Sequence, residues 1–156
     1  MDLSQYLEIF IDESKEHLQT LNDQVLILES EPENVDTVNE IFRAAHSLKG
    51  MAGTMGYKRM QRLTHDMENV FSEIRNGKMN VNADLVDIVF KCLDALEGYL
   101  TNIIETSDEG TEDNDELIAQ LNAVLQNGLA GNGDAQVAAT KEEPKEEKKT
   151  EGGDRR

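Results

Sequence analysis

The chain has 156 residues, of which 32 are acidic and 15 basic, for a net charge of −17 at pH 7. A surface that negative repels phosphate backbones, which excludes an ordinary nucleic-acid binder, and the length suits one domain of common size followed by a tail. Charged residues make up 30%, aromatics only 4%, and tryptophan is absent, a composition that fits an all-α bundle cored by Leu, Ile, Val and Met better than a β-sandwich.

Leu3, Leu7, Phe10, Ser14, Leu18, Leu21, Val25 and Leu28 recur every three or four residues, predicting a first helix over about 2–29. It stops before Pro32, because the residue preceding a proline is pushed out of the α region. Asn34 or Asp36 can cap a second helix, on which Val38, Ile41, Ala45, Leu48, Ala52 and Met55 gather on one face and which ends at Gly56. A third helix carries Met60, Leu63, Met67, Val70, Phe71 and Ile74, with Glu68 flanking the stripe and Gly77 closing it. Asn82 caps a fourth, running to about Glu105, whose stripe includes Cys92 between Val89 and Leu96 and so predicts a buried thiol in a reducing compartment. After an acidic loop over 107–113, Leu117, Leu121, Val124 and Leu125 predict a short fifth helix that Asn127-Gly128 stops. The expected architecture is an up-and-down four-helix bundle with an additional C-terminal fifth helix over 1–127. Residues 128–156, rich in Gly, Ala, Glu and Lys, read as a flexible charged linker.

One run breaks the pattern of a plain bundle. In His46-Ser47-Leu48-Lys49-Gly50-Met51-Ala52-Gly53 the histidine lies well off the apolar stripe, Lys49 stands beside it, and Gly50 and Gly53 fall on its own face. A mid-helix glycine costs about 1 kcal/mol relative to alanine, and two on one exposed face point to access for something large. From Ile41 to His65 there is no acidic residue, while Arg43, Lys49, Lys58, Arg59 and Arg62 all fall there. A basic window in an acidic body invites an anionic group, and Arg43 joins the two glycines as a contact expected for an approaching partner. An imidazole with one unprotonated nitrogen is a nucleophile near neutral pH, and a neighbouring ammonium stabilises a phosphoryl group on it. Together these residues imply phosphoryl transfer on histidine.

The run from His46 to Gly56, followed by His65-Asp66-Met67-Glu68, resembles the histidine-containing phosphotransfer (HPt) domains found at the N-terminus of the bacterial chemotaxis histidine kinase CheA. The resemblance covers roughly residues 1–127. It implies that His46 is phosphorylated on Nε2, that Lys49 assists, that Glu68 on the next helix holds Nδ1–H, and that His65 neighbours the same network. It further implies that ATP is bound by a kinase domain absent from this chain, acting in cis or in trans within a dimer. The phosphoryl group then passes to an aspartate on response-regulator receivers, as two-component signalling requires. The chain is thus expected to be a monomeric, cytoplasmic piece of a transferase with no cofactor of its own.

Two other readings compete. Di-iron bundles use Glu-x-x-His pairs, but Ser14, Arg43 and Arg62 stand three residues before His17, His46 and His65, so no metal is expected. A helical adaptor that binds through the His46 face without being phosphorylated is the alternative function. No stretch approaches the ~20 apolar residues of a membrane span, and His17, close to Leu18 and Leu21, reads as a boundary histidine without chemistry.

Overall fold

The computed structural model describes residues 3–132. Five α-helices account for nearly all of them: α1 (Leu3–Ser30), α2 (Val35–Met55), α3 (Lys58–Arg75), α4 (Ala83–Thr106) and α5 (Asp115–Asn132). The first four pack as a ring in which α2 lies between α1 and α3, and α4 closes against both α1 and α3. Helix α5 packs outside this ring, against α3 and α4. From Leu7 onward the apolar stripes predicted for α1 to α4 face the shared core, with Leu21, Val25, Ile41, Ala45, Leu48, Met60, Leu63, Met67, Leu85, Leu96 and Ile103 among its most buried members.

The turns follow from their residues. Asn34 accepts a hydrogen bond from the Thr37 amide at 3.0 Å and caps α2, and Asn82 does the same for α4 through the Leu85 amide at 2.9 Å. Gly56 takes φ 81°, and the amides of Gly56 and Tyr57 return to the Gly53 and Ala52 carbonyls. This left-handed close reverses the chain in two residues and sets α3 antiparallel to α2. Tyr57, at the N-cap of α3, makes no side-chain capping bond. The role passes to Glu109, in the α4–α5 loop, whose buried carboxylate accepts from the Arg59 and Met60 amides at 3.0 and 2.9 Å.

At its C-terminal end α5 departs from the expectation. Asn127-Gly128 does not stop the helix, which continues to Asn132. A Cβ on Gly128 would sit 2.6 Å from the Met79 Cε, so this glycine lets α5 close onto Met79 rather than ending it. The boundary placed at 127 therefore falls inside α5, and from residue 133 onward the expected linker lies outside the described residues. Cys92 is buried as expected, and burial pushes its thiol up to about 12.

Candidate functional site

Helix α2 turns its apolar face inward and leaves His46 on the outer surface, its side chain 63% exposed. On α3, Glu68 follows Met67 and precedes Val70, both in the core, so its carboxylate lies against the α2–α3 seam and is 10% exposed. Two side chains of α2 meet this one acid: His46 Nδ1 pairs with Oε2, and Lys49 Nζ with Oε1.

Burial raises the proton affinity of the Glu68 carboxyl, but the hydrogen bonds from Lys49 and His46 and their charges outweigh it, and the group ends below its ordinary value. An ionised carboxylate only accepts, so Nδ1 is a protonated nitrogen, and in the neutral form of the ring Nε2 carries the lone pair. A carboxylate with a depressed pKa contributes stability that is fully present above its unfolded value and is lost as pH falls through the folded one. Chemical denaturation across a pH series is therefore expected to show stability falling on the acid side of the ordinary Glu value of 4.5, with a shallower loss in Glu68→Gln. Parallel acid limbs in the two proteins would mean that Glu68 is not held ionised by its partners.

Other predicted site residues are placed differently. His65 does not join this network: its Nδ1 stands 4.0 Å from Asp66 Oδ1, on the exposed side of α3, and no hydrogen bond links it to His46, Lys49 or Glu68. The two glycines part company as well. A Cβ on Gly50 would meet nothing within 4 Å, whereas one on Gly53 would lie 2.5 Å from the Gln61 side-chain nitrogen. Gly50 leaves the surface beside His46 open, and beside Gly53 lies the flexible end of the Gln61 side chain of α3.

The basic window is largely spent on internal pairs. Arg59 Nε bonds Asp113 at 2.6 Å, Arg62 Nη1 bonds Asp115 at 2.8 Å, and Arg43 lies 3.4 Å from Glu40. The first ties α3 to the α4–α5 loop and the second ties it to the first residue of α5, and neither awaits an anion. Three features escaped the sequence reading. A groove of about 590 Å³ runs between α1 and α2 alongside His46, lined by Tyr6, Phe10, His17, Gly50 and Met51 among others, so His17 shares a surface with His46. Phe42, one turn before His46, lies parallel to the imidazole, and Arg75 lies over the Phe42 ring. Among the described residues, no group of His, Cys, Asp and Glu is arranged to hold a metal ion.

An exposed imidazole whose inner nitrogen is fixed by a buried acid, on an antiparallel helix pair of a four-helix bundle, defines a histidine phosphotransfer module. The chain belongs to the Hpt domain family, whose pattern matches residues 5–127. Within it the similarity runs to CheA: the chain is 53% identical over 121 residues to the chemotaxis protein CheA of Bacillus subtilis, which covers 78% of this chain and 18% of that protein. The solution structure of the histidine phosphotransfer domain of CheA superposes with a TM-score of 0.73 at 38% identity, covering 78% of this chain and 92% of that one. The phosphorylated P1 domain of CheA3 from R. sphaeroides, solved in complex with CheY6, shares the fold with a TM-score of 0.75 at 19% identity, over 81% of this chain and 99% of that one. The chain spans less than a fifth of the length of the B. subtilis relative.

Proposed function

We propose that His46 is the phosphoacceptor of a CheA-type chemotaxis kinase, charged from ATP by a kinase domain outside these 156 residues and discharged onto a response-regulator aspartate. The observation that carries this reading is the pairing of exposed His46 with buried Glu68 through Nδ1. With that nitrogen protonated and held, the Nε2 lone pair faces outward. It attacks the γ-phosphorus, the bond from phosphorus to the bridging oxygen breaks, and ADP departs with the electron pair. The Nδ1 proton stays between the ring and Glu68, whose negative charge stabilises the positive charge that the ring gains, much as a buried carboxylate orients and stabilises a triad histidine. In the second step a receiver carboxylate oxygen attacks phosphorus, the P–N bond breaks, and the imidazole recovers its lone pair.

Lys49 serves both partners. Its ammonium has three protons, of which Glu68 engages one, leaving others to meet phosphoryl oxygens when the group arrives. Gly50 and the groove beside it give a docking protein a path to Nε2 with no side chain in the way. The reaction belongs in the cytoplasm, where ATP and receivers meet. No described helix is long and apolar enough to cross a membrane.

Incubation with a CheA kinase core and labelled ATP tests the reading. The expected product is an acid-labile, alkali-stable label that maps to the α2 peptide containing His46 and is chased off by a receiver. Binding of the kinase core without labelling would instead support the adaptor alternative.

A further inference from the structure

The four arginines of the helical region divide in use. Arg43, Arg59 and Arg62 each pair with a carboxylate. Arg75, the last residue of α3, makes no ion pair with a described residue; its Cζ lies 4.2 Å from the centre of the Phe42 ring. That ring in turn is 6.2 Å from the His46 imidazole, centre to centre, with only 10° between the planes. Phe42 precedes His46 by one helical turn, so the two rings stand on one face of α2.

We propose that Arg75 is a positioning residue for phosphoryl transfer at His46, acting through Phe42. The proposal rests on His46 being the phosphoacceptor. Phe42 is half-buried against the core, and a cation over its face holds a ring that would otherwise turn toward solvent at its outer edge. The held ring bounds the space into which the imidazole can rotate on the side of the preceding turn. Glu68 fixes the ring through Nδ1, and Phe42 confines it along one side, so Nε2 keeps one direction of approach. The separations of 4.2 and 6.2 Å also bring the guanidinium within about one Debye length of the imidazole at 0.1 M salt, ~10 Å, where its charge favours a dianionic phosphoryl group.

The test uses the whole chain in four variants, Arg75→Gln, Arg75→Lys, Phe42→Leu and Arg43→Gln, with two readouts. The first is the rate of labelling by a kinase core. The second is the set of three-bond couplings that report the His46 χ1 rotamer by NMR, measured without phosphodonor. Arg75→Gln is expected to slow labelling about two- to fivefold, the size of an exposed cation–π contact, and to move the couplings toward rotamer averaging at unchanged melting temperature. Arg75→Lys keeps a cation over the ring and should recover most of both readouts. Phe42→Leu should reproduce the Arg75→Gln effect, and adding Arg75→Gln to it should do little more, the non-additivity of a linked pair.

Parent-like couplings and rate in Arg75→Gln would overturn the proposal. So would an equal change of the donor-free couplings in Arg43→Gln, which removes the same charge from the residue next to Phe42, because bulk charge would then be the cause. Failure of the parent chain to accept label would overturn the phosphoacceptor reading instead, and the couplings, needing no phosphodonor, would still decide whether Arg75 orders the ring.

Discussion

A His46→Gln protein is expected to take up no phosphoryl label under conditions that charge the parent fully, while its helix content is unchanged and its stability stays within the ~0.5 kcal/mol typical of surface changes. The asymmetry comes from the way the site is divided. His46 contributes an exposed ring and almost nothing to the core. The costly member is Glu68, a buried carboxylate that must stay partnered, and Lys49 continues to bond its Oε1 when the imidazole is gone. A glutamine amide can donate to Oε2 in place of Nδ1 but offers no nucleophilic nitrogen. The result to watch for is residual label. His17 lines the same groove and His65 stands exposed on α3, so label surviving on either would sink the assignment of His46. A variant that lost both label and fold would place His46 in the structural framework rather than in the chemistry.

The second large effect is on stability and arises far from the reactive ring. Replacing Glu109 with alanine is expected to destabilise the domain by about 2 kcal/mol, combining a lost helix cap with buried amides left unpaired. For a chain of this size that should lower the melting temperature by roughly 4–8 °C. Glu109 is 5% exposed and accepts from two amides in the first turn of α3, where Tyr57 supplies no cap of its own. Asp113→Ala is the control: it removes an exposed partner of Arg59 and should cost less than ~1 kcal/mol, as surface ion pairs do. Glu109→Gln keeps one carbonyl acceptor and should fall between them. Equal melting of Glu109→Ala and Asp113→Ala would show that water caps α3 as well as the carboxylate does.

These two sites also mark where the sequence was transparent and where it was not. The inward stripes of α1 to α4 were readable because each apolar position repeats within its own helix, and Asn34, Gly56 and Asn82 act on neighbours three to five residues away. His46 and Lys49 were readable for the same reason, being three apart on one helix. Glu68 could be placed on the border of its stripe, but its partnership with His46 crosses 22 residues and came from family resemblance.

Features that depend on distant segments were misread or missed. Arg59 and Arg62 formed an apparent anion-binding window because their carboxylates lie 54 and 53 residues further along the chain. Glu109 looked like an ordinary acid in a loop. Gly128 carried the composition of a helix stop, yet its lack of a Cβ serves contact with Met79, which periodicity within α5 cannot reveal. Gly53 was assigned to partner access by helical angle, which could not show that the Gln61 side chain of the facing helix ends beside it.

In the proposed reaction the attacking nitrogen of His46 and the acid that orients its ring reside on different helices, and this makes the site a gauge of folding. Within α2 alone no acid holds Nδ1 of His46; the fixed tautomer exists only while α3 is docked beside it with Glu68 buried between them. Partial unfolding that loosens α3 abolishes that tautomer preference before α2 has lost its helix, so the competent fraction of molecules follows the population with an intact α2–α3 seam. Copies with an open α2–α3 seam would then lack the arrangement on which the proposed transfer depends.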